Sequence, residues 1–130
     1  MIVLDASVVV EMLLGTKDAE RIADRVWRSG ESLHAPQLVD VEVTQVLRRY
    51  DRRGELPPHH SAEALDLLAR FPMTRHAHEP LLGRIWALRE NLTAYDAAYV
   101  SLAEALGATL LSRDERLAQA RGIRARVELV

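Results

Sequence analysis

The sequence contains no cysteine, which excludes disulfides, thiolate nucleophiles and cysteine-ligated zinc, and leaves oxygen or imidazole to hold any metal. Lysine is nearly absent too. Lys17 is the only one, and the other 16 of the 17 basic residues are arginine, a residue suited to bidentate phosphate contacts, although coding bias accounts for the pattern equally well. Aromatic residues are limited to Trp27, Tyr50, Phe71, Trp86, Tyr95 and Tyr99, too few to predict a stacking platform for single-stranded bases. No apolar run approaches the ~18 residues that span a bilayer. The opening Met1-Ile2-Val3-Leu4-Asp5 has no basic region and meets an acid at once, so neither a secretory signal nor a transit peptide is expected, and the expected location is cytoplasmic. Charge is not in surplus either: 17 basic against 19 acidic residues give a net of −2 and a pI near 6.2, unlike a protein that holds nucleic acid by bulk charge alone.

What is present is one domain's worth of chain, residues 1–130, with 48% apolar and 28% charged residues, the balance of an ordinary globular protein. Short β-rich runs alternate with segments of helical periodicity. Strands are predicted over 1–5, around Leu33-His34-Ala35, over 73–77, at Thr109–Ser112 and at Val127–Val130. Helices are predicted over 7–14, over 18–27, from Pro36 to Gly54, from a Ser61 cap to Phe71, over 79–89, from a Thr93 cap to Gly107, and over 115–120. Trp27 and Trp86 read as packing residues. The alternation predicts an α/β domain with a central parallel β-sheet flanked by α-helices.

Four acids attract attention in that frame. Asp5 ends the first strand, and Asp114 follows Thr109–Ser112 by two residues, so both belong at the carboxyl edge, where open parallel sheets bind ligands. Asp96 lies in the first turn of its helix and Glu42 in the second turn of its own, and helices that follow parallel strands start at that same edge. Each acid also has a local explanation: Thr93 to Asp96 resembles a capping box, Asp114 can cap the helix at Glu115, and Glu42 can be solvated. If all four converge, their repulsion calls for a divalent cation. All-oxygen ligation favours Mg²⁺ or Mn²⁺, and the chemistry implied is phosphodiester hydrolysis.

Asp5-Ala6-Ser7, Ala35-Pro36-Gln37-Leu38 with Glu42-Val43, Thr93-Ala94-Tyr95-Asp96, and Leu111-Ser112-Arg113-Asp114 together resemble the successive motifs of PIN domains, in order and over nearly the whole chain. The length and the arginine-rich helix after Glu42 resemble the VapC toxins in particular. The resemblance implies a Mg²⁺- or Mn²⁺-dependent endoribonuclease, the toxin of a toxin–antitoxin pair, with a VapB-like antitoxin as partner, RNA as substrate and a homodimer as assembly. It implies Asp5, Glu42 and Asp96 as metal ligands, Asp114 as a more variable fourth acid, Ser7 holding a ligand or a metal-bound water, and Ser112 supporting the acids from behind. The alternative is a non-catalytic PIN-like RNA-binding or regulatory module, which would gain nothing from acids facing phosphate without a metal. A receiver domain would need a late lysine, and a dehalogenase-type phosphatase would need an Asp where Ser7 stands.

Arg49 and Arg53, on the helix that carries Glu42, are expected to offer a phosphate-binding rim, although cations there also complement the helix dipole. Arg113 and Arg116 flank Asp114 and are expected to touch substrate or neutralise the acids. The pair His76 and His78, and His59-His60, read as surface residues with no third zinc ligand.

Overall fold

The structure, a computed structural model, describes residues 1–130. Five strands, β1 (Ile2–Leu4), β2 (Leu33–Pro36), β3 (Thr74–His76), β4 (Thr109–Ser112) and β5 (Val127–Leu129), form one sheet in the order β3-β2-β1-β4-β5. Every neighbouring pair is parallel. Seven helices cover it: α1 (Ala6–Leu14), α2 (Ala19–Arg28), α3 (Leu38–Arg52), α4 (Pro58–Arg70), α5 (Leu82–Ala87), α6 (Ala94–Leu106) and α7 (Glu115–Ala118). The predicted parallel α/β architecture is the one observed. Central β1 has Ile2, Val3 and Leu4 fully buried, so no polar alternation appears in its sequence, and burial of each contributes about 2 kcal/mol.

The strand order places the site. The chain leaves β1 towards β2 on one side and returns as β4 on the other, and this reversal opens a crevice beyond the carboxyl ends of the two strands. Asp5 sits on that seam, its backbone N–H donating to the Leu111 carbonyl at 3.0 Å.

Several local expectations need correction. Pro36 does not begin a helix; it is the last residue of β2, registered against His76, where pairing with β1 has already ended at His34 and a missing N–H costs the ladder little. The helix expected from a Ser61 cap begins earlier: Pro58 takes the first helical position of α4, three residues before Ser61, where a ring-locked φ suits the helix. The predicted helix over 79–89 is a 3₁₀ turn at Glu79–Leu81 followed by the short α5.

His76 and His78 are not idle surface residues, whereas His59 stands exposed as expected. His34 Nδ1 and His76 Nε2 share a hydrogen bond of 2.9 Å across β2 and β3, and His78, beyond the end of β3, accepts the Leu38 N–H at 3.0 Å. That contact anchors the start of α3, the helix carrying Glu42. Nor do the tryptophans pack in the core: Trp27 is half exposed beside Phe71, and Trp86 is exposed beneath the Arg89 guanidinium.

Candidate active site at the carboxyl edge of the sheet

Asp5 is fixed before anything binds. Its Oδ1 accepts the Ala6 N–H at 2.9 Å and caps α1, while Oδ2 accepts the hydroxyls of Ser7 at 2.6 Å and Ser112 at 2.8 Å. Both serines are themselves tied to the chain after β4: Ser7 Oγ accepts the Arg113 N–H at 3.2 Å and Ser112 Oγ the Asp114 N–H at 3.0 Å. The two hydroxyls thus couple Asp5 to the segment that carries Asp114.

Glu42 projects from the second turn of α3 and accepts the hydroxyl of Tyr99 on α6. Tyr99 is almost fully buried; burial and the Glu42 carboxylate push its hydroxyl well above the usual tyrosine range, so it acts as a donor. From the sequence it stands only as one of six aromatic residues, not singled out for this role. Two signals were available: Tyr99 lies one turn after Asp96, on the same face, and a buried tyrosine hydroxyl requires a partner.

Asp96 sits in the first turn of α6, where Thr93 Oγ1 accepts its backbone N–H at 3.2 Å. The cap is therefore made by the threonine, and the same Thr93 side chain is the one hydrogen-bonding neighbour of the Asp96 carboxylate. Burial raises its pKa and the charges of Asp5 and Asp114 raise it further, against the lowering effects of Thr93 and Arg116. Burial also raises that of Glu42, against the lowering effect of Tyr99, and the charges of Asp5 and Asp96 add to the rise. Asp114 differs: it caps α7, is paired with Arg116 through contacts of 3.2 and 3.1 Å, and is held below the ordinary carboxylate range by that guanidinium. The four acids thus reach one edge from β1, α3, α6 and the turn after β4. They feel one another's charge, but no three His, Cys, Asp or Glu side chains are gathered into a ready-made metal shell.

A cleft of about 390 Å³ opens beside them, lined by Asp5, Glu42, Gln45 and Arg49 together with Ala6, Leu38, Val41, Val46 and Tyr95. Gln45, Val41 and Tyr95 were not singled out from sequence. Arg53 lies one turn beyond Arg49, exposed and 3.9 Å from Glu55. Arg113 is turned away from the cleft and bridges Glu11 at 2.7 Å and Asp18 at 3.0 Å, which ties α1 and the start of α2 to the β4 loop. Arg116 is fully at the surface on Asp114. A second, larger cleft lies at the amino edge, where Glu104 is already saturated by Arg84 and Arg124.

Comparison with known proteins agrees with this geometry. The family model described as PIN domain matches residues 2–123. A VapC ribonuclease from Mycobacterium bovis is 42% identical over 90% of the chain and 88% of its own length, and ribonuclease VapC12 from Mycobacterium tuberculosis is 40% identical over 100% of the chain and 99% of its own. Among solved structures, Mycobacterium tuberculosis VapC20, described as a sarcin-ricin loop cleaving toxin, superposes with a TM-score of 0.70 at 14% identity over 95% of this chain and 96% of that one. The VapBC2 complex of Rickettsia felis, bound to a DNA fragment from its promoter, gives 0.71 at 14% identity over 99% and 98%. With a family model covering almost the entire length and relatives near 40% identity end to end, this chain belongs to the PIN domain family, among proteins named VapC.

Proposed function

We propose that the protein is a divalent-metal-dependent endoribonuclease, the toxin of a VapBC-like pair. The observation that carries this reading is the convergence of Asp5, Glu42, Asp96 and Asp114 on the crevice between β1 and β4, with the carboxyl groups of Glu42 and Asp96 held above their ordinary range by burial and by the other acids. An acid-rich mouth of this kind repels a phosphate unless a cation intervenes, which disfavours a module that only binds RNA. The ribonuclease names of relatives that match over most of the chain support the reaction class, and the toxin–antitoxin complexes among structures of the same fold support an antitoxin as partner.

The donor set fits Mg²⁺ or Mn²⁺. Oxygens alone are offered, and Mg²⁺ keeps several waters and takes few protein ligands, so it does not need a closed shell of side chains. Asp5, Glu42 and Asp96 would hold the ion, with Asp114 acting at longer range. When bound, such an ion offsets charge developing on the phosphoryl oxygens and lowers the pKa of water for attack at phosphorus. The chain's own part is to aim its groups: Ser7 and Ser112 fix the Asp5 carboxylate, Tyr99 fixes that of Glu42, and Thr93 is the only side chain that steadies Asp96. Arg49 lies on the same face of α3 as Glu42, seven residues or roughly two turns on, and Arg53 follows directly after the helix end; both are candidates to take flanking phosphates, and Arg116 can do so when it leaves Asp114.

The test is cleavage of a structured RNA pool by antitoxin-free protein in Mg²⁺, Mn²⁺ or EDTA. Asp96→Asn is the cleaner variant, because the α6 cap is made by the Thr93 hydroxyl on the Asp96 backbone N–H, which the substitution keeps, whereas Asp5→Asn alters the carboxylate that itself caps α1. Discrete fragments lost in EDTA and in Asp96→Asn are expected; fragments that persist in either would overturn the reading.

A further inference from the structure

The cleft beside the acids has an unexpected composition. The residues that α3 contributes lie three or four apart along one face, beginning with Leu38 and ending with Arg49, a track about 16 Å long. Val41 is 69% exposed and, opposite it, Tyr95 at the start of α6 is 61% exposed. Neither side chain has a role in the core, which is complete without them. A site that recognised phosphate by charge alone would set cations here; this one sets an aromatic ring and a valine beside carboxylates, with the Gln45 amide between them and the Arg49 guanidinium, which has no ion-pair partner in the chain, at the far end.

An occupant that fits must present a flat apolar face, polar edges and an anionic group a few ångströms away. A nucleotide does all three. We propose that Tyr95, with Val41 across the cleft from it, is the shelf on which an unpaired base next to the scissile phosphate stacks, with Gln45 reading its edge and Arg49 taking the following phosphate. This rests on the nuclease reading and deepens it: the ring is the neighbour in sequence of Asp96, so a base seated on it brings its own phosphate towards the acids. A base still paired in a duplex cannot present its face, so Tyr95 would select for unpaired RNA at the point of cleavage. An antitoxin side chain could occupy the same shelf, but it would leave Arg49 and Gln45 unexplained.

The experiment measures binding apart from cleavage. In the Asp96→Asn background, which keeps the strand intact, fluorescence anisotropy in Mg²⁺ follows a labelled short single-stranded oligoribonucleotide and the same strand annealed to its complement. Adding Tyr95→Ala is expected to weaken binding of the single strand about tenfold, while Tyr95→Phe, which keeps the ring, stays within about twofold; duplex binding should be weak and unchanged. Circular dichroism checks that each variant is folded. Single-strand binding undiminished by Tyr95→Ala overturns the proposal, as does equal loss for strand and duplex. Cleavage by the unmodified protein in Mn²⁺ against EDTA judges the nuclease reading separately, so failure of one is distinguishable from failure of the other.

Discussion

A carboxylate whose two oxygens already accept a backbone N–H and two hydroxyls has little freedom left, and a cation that meets it does not have to order it. Asp5 is in that state, and Glu42 reaches it through one group, the Tyr99 hydroxyl. Tyr99→Phe should therefore separate orientation from presence. The ring keeps its packing, while Glu42 loses its only partner in the chain. Unfolding free energy from denaturant titration should fall by about 1–2 kcal/mol, and Mn²⁺ affinity by calorimetric titration should weaken several-fold with the circular dichroism unchanged. Unaltered Mn²⁺ affinity would mean that Tyr99 only fills space. At this scale the positions of Asp5, Asp96 and Asp114 were legible because each follows a local rule: the end of a strand, the first turn after a threonine cap, the residue before a helix. The partner of Glu42 was not, because the contact joins residues 57 apart in sequence. For the same reason the pairing of Arg113 was invisible: Glu11 and Asp18 reach it only after α1 has folded back across the sheet.

Among the elements, those with continuous apolar faces were readable and those defined by proline or by short range were not. Helices α3 and α6 and strand β4 stand where periodicity puts them, whereas Pro36 and Pro57-Pro58 each admit two local readings that only the neighbouring strand or helix resolves. The short α5 is the clearest case. With six residues it has little stability of its own, and what holds it is Arg84, which donates to Glu104 on α6 at 2.7 and 3.0 Å and to the Gly122 carbonyl at 2.8 Å. Glu104 also accepts the Arg124 N–H at 2.7 Å, so a single carboxylate joins α5, α6 and the carboxy-terminal segment. Those guanidiniums draw its pKa down to about 2. Glu104→Ala should cost about 2–3 kcal/mol in chemical denaturation, and hydrogen exchange should rise first in α5 and the chain before β5. Loss spread evenly over the sheet would refute this account of how α5 is held.

For the molecule as a whole, the two sets of perturbed acids act in opposite directions with pH. Glu104 has a folded pKa below its ordinary 4.5, so its contribution is complete above that value and is lost as pH falls towards 2. Glu42 and Asp96 have folded pKa values above their ordinary ones: between the ordinary and the raised value the folded chain binds more protons than the unfolded chain, and stability declines as pH rises through that window. Metal-free protein should accordingly be most stable at mildly acidic pH, and a divalent ion, which competes with protons for the same oxygens, should restore most where the acids are fully charged. At a concentration about 100 times its dissociation constant, such an ion adds about 2.7 kcal/mol, or roughly 10 °C in melting temperature for a domain of this size. Scanning calorimetry with Mn²⁺ or EDTA should show that gain near pH 8, a smaller one as the pH falls and protons compete for the raised carboxylates of Glu42 and Asp96, and in Glu42→Gln a higher metal-free melting temperature together with a smaller response to the ion. A metal response that does not change with pH would place the cation somewhere other than the crevice between β1 and β4, since only there are carboxyl groups raised in this way.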